Sequence, residues 1–180
     1  MTRTAAKLLL IALALFSLGA LAACGNEEEE LHTEEGEPLE LGELRYNVQI
    51  TRFLNPDSVE DAAYLRGEPP PPAGKDYLAV FIRIQNEGEE GERIPLTFPV
   101  KNGREEEFQA LPIDNPFALD LGTEIPAGGQ LPAIDSPAAS GTIKGSMLLY
   151  LIDEAATENR PLELEIDAPD GETGTIELDI

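Results

Sequence analysis

Alternation of apolar and polar residues at period two dominates this chain. Leu44, Tyr46, Val48 and Ile50 alternate with Arg45, Asn47, Gln49 and Thr51, which predicts a strand with one face in a core. Residues 77–84 read Tyr-Leu-Ala-Val-Phe-Ile-Arg-Ile, apolar on both faces, as a central strand of a two-layer fold would be. Ile94, Leu96, Phe98 and Val100 alternate with Pro95, Thr97 and Pro99. The two prolines put both missing N–H groups on one side, which predicts an edge strand.

Further strands follow the same logic. Residues 107–111 form a short one, and residues 143–152 a long apolar one after Gly145. Leu162, Leu164 and Ile166 alternate with Glu163, Glu165 and Asp167, and Ile176, Leu178 and Ile180 with Glu177 and Asp179. Asp170-Gly171, with Gly174, lies between these two runs and reads as a hairpin connection. Glycines and prolines from 112 to 140 predict loops around a short strand at 117–121.

One stretch breaks the period. Asn55-Pro56 suits an N-cap and first helical residue, and Gly67 suits a stop. Residues 57–66 are therefore expected to make two helical turns, with Val59, Ala62, Ala63 and Leu65 toward the sheet. Pro69–Pro72 then reads as an extended spacer. The sum is an all-β, antiparallel β-sandwich of seven to eight strands with one short helical insertion. The internal disulfide and buried tryptophan of antibody domains are absent, since the chain has one cysteine and no tryptophan.

The N-terminus has a different pattern. Arg3 and Lys7 precede an apolar run from Leu8 to Leu18, which is too short to cross a hydrocarbon core of about 30 Å and reads as a secretory signal. Leu21-Ala22-Ala23-Cys24 follows. These residues resemble the lipobox of bacterial lipoproteins, which implies a diacylglyceryl thioether on Cys24 and cleavage before it. The implied parts are a signal peptide at 1–23, a lipidated cysteine with an acidic tether at 24–38, and a domain at 39–180. Seven glutamates between Gly25 and Pro38 make the tether a disordered linker, dispensable for folding. His32, beside Glu29, Glu30 and Glu34, reads as a solvated side chain rather than a metal ligand.

Composition narrows the chemistry. With 35 acidic and 12 basic residues the formal charge is −23, which argues against a nucleic-acid partner. A lone histidine in the tether leaves Ser136, Ser140 and Ser146 without a base. Paired carboxylates for glycoside hydrolysis are abundant by number alone, and no aromatic cluster offers a sugar platform. Two acidic loops, Asp167, Asp170 and Glu172 around Gly171 and Asp114, Asn115 and Asp120, have the oxygen chemistry that calcium prefers. Neither has the EF-hand spacing, so only weak calcium binding is allowed for. No metal site, no cofactor and no catalytic residue is expected.

The segment Pro72-Ala73-Gly74-Lys75-Asp76-Tyr77-Leu78-Ala79-Val80, followed by Ile84-Gln85-Asn86-Glu87-Gly88, carries a further resemblance. A glycine-lysine pair, an apolar strand, an asparagine and a glycine recur in this order in the telokin-like, immunoglobulin-like domains of bacterial lipoproteins. Gly141 to Tyr150 is similar to the late strand of that layout, although Ser136–Ser140 replaces its glycine-rich entry. The resemblance covers about residues 39–180 and implies an immunoglobulin-like sandwich of unknown function. The expected protein is then lipid-anchored at the cell membrane and faces the extracytoplasmic side. It binds a protein, glycan or small molecule, or else serves as an accessory or sensor subunit of a membrane complex.

Overall fold

The computed structural model describes residues 31–168 and 171–180. In chain order the strands are β1 (Leu31–Glu34), β2 (Leu39–Leu41), β3 (Leu44–Leu54), β4 (Lys75–Asn86), β5 (Glu92–Arg93) and β6 (Val100–Asn102). They continue as β7 (Glu107–Phe108), β8 (Glu124–Ile125), β9 (Gln130–Leu131), β10 (Ser146–Asp153), β11 (Leu162–Asp167) and β12 (Thr173–Glu177). One sheet has the order β1-β12-β11-β6-β7. The other runs β10-β4-β3-β2, with β9 also on β4, and β5 pairs with β8 separately. Every named pair is antiparallel except β1 with β12. The molecule is a β-sandwich.

The main core lies between the sheets. Tyr46 and Val48 of β3, Leu78, Val80, Ile82 and Ile84 of β4, and Leu148, Tyr150 and Ile152 of β10 meet Val100, Leu162, Leu164, Ile166 and Ile176. The Tyr150 hydroxyl donates to the Phe98 carbonyl at 2.7 Å, so its polar tip is satisfied inside.

A second cluster lies on the far side of β4 and β10. Tyr77, Ala79, Phe81, Met147 and Leu149 point away from the main core and pack under Tyr64, Leu65, Phe117, Leu111 and Ile113. Tyr64 stands edge-on to Phe81, with ring centroids 5.1 Å apart, and to Phe117 at 4.8 Å. This cover explains why residues 77–84 are apolar on both faces.

The cover is not the expected helix. Asp61 is 1% exposed. Its carboxylate accepts from Arg52 Nη2 at 2.7 Å and from the Asn55 amide at 2.9 Å. Helical bonds from Ala62 to Ser58 and from Leu65 to Asp61 form singly without propagating. The segment is a chain of turns drawn in by a buried carboxylate. Tyr64 and Leu65 are buried beside Asp61, whereas Val59 is 92% exposed. The short helix is elsewhere, at Pro137–Ser140, capped by Ser136 Oγ on the Ala139 amide.

Other expectations also shift. Ile94–Pro99 is a loop rather than an edge strand. Pro95 and Pro99 accept through their carbonyls, from Gly122 and Glu165, and Leu96 is 74% exposed. A bulge between Val48 and Ile50 reverses the face of β3. Ile50 therefore pairs with Phe81 and is half-exposed instead of continuing the core. Residues 117–121 contribute one bridge, Ala118 with Met147. Backbone bonds from Leu111 to Leu149, Leu119 to Met147 and Met147 to Phe117 nevertheless close the β10 edge.

The largest correction concerns the tether. Residues 31–34 form β1 on the parallel edge of β12, so the folded region begins by Leu31 and not at Leu39. Glu35 then joins the two sheets. Its carboxylate accepts from the Thr51 amide at 3.0 Å and the Asp179 amide at 3.2 Å. A glutamate that receives backbone amides is part of the fold, not linker.

Two predictions follow from these contacts. A chain that begins at Leu39 should melt well below one that begins at Leu31. Glu35→Ala should cost about 1–3 kcal/mol, or roughly 3–10 °C by differential scanning calorimetry. The second concerns alkaline pH. Burial pushes the Tyr150 phenol well above its ordinary range, and burial followed by Glu68 raises that of Tyr77. The unfolded chain ionises near pH 10 while the fold holds both protons, so this stability is complete below about pH 10 and drains as pH rises above it. Tyr150→Phe should flatten that loss in pH-dependent denaturant melts, although it loses the bond to Phe98.

Candidate functional site

The outer face of the β1-β12-β11-β6-β7 sheet is polar because its strands alternate. β11 sends Leu162, Leu164 and Ile166 inward and Glu163, Glu165 and Asp167 outward, and β12 adds Thr175 and Glu177 outward. β6 contributes Lys101 opposite Glu163, and β1 contributes His32 opposite Thr175. His32, Lys101, Glu105, Glu163, Glu165 and Thr175 line an open concavity of about 300 Å³.

Two contacts organise this face. His32 Nδ1 lies 2.9 Å from Thr175 Oγ1. The ring also lies 3.7 Å from a Glu163 oxygen and 3.9 Å from a Glu177 oxygen. Lys101 pairs with Glu165, and the hydrogen bond to that carboxylate holds its ammonium above the ordinary lysine range. Glu163 and Glu177 are direct cross-strand partners, an arrangement of like charges that is destabilising by itself.

The hydroxyl–imidazole contact superficially resembles an activated nucleophile. Thr175, however, is 8% exposed on an interior strand, and the Glu177 oxygen is beyond hydrogen-bond reach of the ring. That geometry does not supply the oriented base and reachable nucleophile of a triad. It fastens β1 to β12.

The other candidate residues divide into three groups. Leu21, Ala22, Ala23, Cys24, Glu29 and Glu30 lie outside the described residues, as does Asp170. Asp167 accepts from Thr173 Oγ1 at 3.0 Å, and Glu172 accepts from the Gly42 amide at 2.7 Å. Asn115 is buried and donates to the Ala63 and Tyr64 carbonyls while accepting from the Phe117 amide. Among the described residues no three His, Cys, Asp or Glu side chains converge as a metal set. Ser136 and Ser140 bond within their own helical turn.

Sequence reading missed a set of polar residues that hold loops in place. Asn86, Asn102 and Asn115 are all buried. Each accepts the amide two residues on, from Gly88, Arg104 and Phe117. Each donates to a distant carbonyl, that of Ile125, Ala156 or Tyr64. The local half, an Asx turn, has a sequence signal in Asn-x-Gly at 86–88. The distant half has none.

No protein-family model matches the chain, and no curated protein sequence matches it. Solved structures do share its fold. An uncharacterized β-sandwich protein from Clostridium difficile 630 superimposes with a TM-score of 0.52 at 15% identity, over 85% of this chain and 97% of that one. The yjhA protein from Bacillus subtilis gives a TM-score of 0.55 at 12% identity, over 82% and 99%. The "putative lipoprotein" ycdA of Bacillus subtilis subsp. subtilis str. 168 gives 0.53 at 12% identity, over 81% of this chain but 39% of its own. At these identities the likeness is one of fold.

Proposed function

We propose that this is a lipid-anchored extracytoplasmic envelope protein whose immunoglobulin-like sandwich is a non-enzymatic binding or interaction module. The observation that carries the reading is Leu21-Ala22-Ala23-Cys24, directly after a basic start and a short apolar run. Two acyl chains on Cys24 give the stable attachment that one chain does not. The fold shared with ycdA, a "putative lipoprotein", supports it.

The early start of the fold bears on the alternative reading, an accessory or sensor subunit. Only residues 25–30 separate Cys24 from β1, a span of at most about 25 Å. A domain held that close is placed to work as an accessory or sensor subunit of a membrane complex. Its partner would then meet it near the bilayer rather than at a distance.

Cys24→Ser tests the anchor. With the thiol gone, labelled fatty acid should not be incorporated and the precursor should keep its signal peptide. Incorporation of label by the serine variant would refute the anchor. Weak calcium binding is a separate reading, and the acidic outer face predicts how salt should act. Monovalent salt should raise the melting temperature smoothly as the Debye length falls from about 10 Å at 0.1 M to about 3 Å at 1 M. Calcium and magnesium at equal ionic strength should act alike. A saturable stabilisation by calcium alone would instead show a metal site and point first to the Asp167–Glu172 loop.

A further inference from the structure

The turn between β6 and β7 carries the one non-glycine residue with left-handed backbone among the described residues, Glu105 at φ 60°. A glutamate there is strained, and such strain persists only where the surroundings over-determine it. Asn102 supplies that hold and is itself 2% exposed. Its Oδ1 accepts the Arg104 and Glu106 amides at 3.0 and 3.1 Å. Its Nδ2 donates to the Glu106 carboxylate at 2.7 Å and to the Ala156 carbonyl at 3.2 Å. The Gly103 amide donates to the Asn159 carbonyl, and a Cβ at 103 would stand 2.3 Å from the Arg160 carbonyl oxygen. The turn is thus locked against the 3₁₀ helix Glu154–Glu158 that follows β10.

Between the two locked segments lies a cavity of about 380 Å³, at the small end of the range for small-molecule sites. Arg104, Glu106 and Phe108 line one side, and Asp153, Ala155 and Ala156 the other. Asp153 is already neutralised by Lys75 at 3.0 Å. Arg104 and Glu106 take part in no ion pair among the described residues, with each other or with anything else. Both are exposed, so a ligand arriving from solvent can reach them. Phe108 rests on the main core while its ring borders the cavity.

The lining describes its ligand. A simple anion would meet the Glu106 carboxylate, and a simple cation the Arg104 guanidinium. A ligand that carries both charges satisfies each, and charge-assisted bonds are about twice as strong as those a neutral hydroxyl would make. Phe108 and the two alanines offer apolar contact between them. We propose that this cavity binds a small zwitterion, an α-amino acid with an apolar side chain. Arg104 donates to its carboxylate through two N–H groups, and Glu106, held by Asn102, accepts from its ammonium. The inference names a ligand class for the binding module proposed above. Its test needs no anchor at Cys24, so the two fail separately.

The full chain is titrated with L-leucine, leucinamide, N-acetyl-leucine and glucose at equal ionic strength, followed by calorimetry and by the ¹⁵N resonance of Arg104 Nε. Leucine should bind saturably and shift that resonance. Leucinamide lacks the carboxylate and N-acetyl-leucine the ammonium. Each should bind at least about tenfold more weakly, the effect of losing one charge-assisted pair. Arg104→Gln should weaken leucine to the same degree and leave leucinamide as in the parent. Glu106→Gln, whose side-chain carbonyl can still accept from Asn102, should weaken leucine and leave N-acetyl-leucine unchanged. Arg66→Gln should alter nothing. The proposal is overturned if leucine gives no saturable response, if N-acetyl-leucine or glucose binds as well as leucine, or if Arg104→Gln binds leucine as the parent does. Should Arg104→Gln not fold, Arg104→Lys decides: weaker leucine binding supports the site, and parental binding overturns it.

Discussion

A strand that is apolar on both faces can be buried only if something covers each side, and β4 imposes that condition on the whole chain. Leu78, Val80, Ile82 and Ile84 face the β1-β12-β11-β6-β7 sheet, while Tyr77, Ala79 and Phe81 face the other way. Burying a side chain of this size contributes about 1.5–3 kcal/mol, so leaving the second face in water would forfeit several of them at once. Residues 55–68 and 111–119 exist in their observed form because they supply the missing cover. The sandwich is consequently three layers deep over β4 and β10, and two deep elsewhere.

Covering a sheet with irregular chain brings backbone polar groups inside, and these must be satisfied. Here the solution is carboxylates and carboxamides, not regular structure. Asp61 accepts the Asn55 amide and Arg52, while Asn115 donates to carbonyls of the same segment from the adjoining loop. Glu35 and Glu172 do similar work at the sheet ends, on the amides of Thr51, Asp179 and Gly42. Part of the acidity of this protein is therefore structural. It occupies backbone donors that a loop-rich fold would otherwise leave unpaired.

How far the sequence was legible depends on the range of the interaction responsible. β4, β10, β11 and β12 were readable because apolar alternation is a local record of two faces. Ile50 was misread because a single extra residue at Gln49 inverts that record without changing its composition. The turns at 57–66 carry good helix signals, and they lose to Asp61, whose partner Arg52 lies on β3 across a chain reversal. Glu35 and His32 looked like linker because a run of glutamates has the composition of one. What removes them from the linker is the arrival of β12, some 140 residues later. Of the candidate site, polar character was visible in the alternation of β11. The pairing of β1 with β12, which brings His32 to this face, was not.

The two outer faces of the sandwich have diverged in chemistry although both are strand surfaces. On one, Glu163, Glu165 and Glu177 face water, with Lys101 and His32 set among them. On the other, Arg45, Asn47, Arg83, Gln85 and Gln130 form a strip whose one ion pair is that of Arg45 with Glu87. Solubility needs only charge, and glutamate supplies it at little cost on an exposed strand. Solubility does not require a half-buried arginine whose Nε has no partner among the described residues, and β4 keeps one immediately beyond its covered face. The chain meets β4's demand for cover as far as Phe81 and stops there. The next two outward positions are Arg83 and Gln85, and the Arg83 Nε has no hydrogen-bond partner among the described residues.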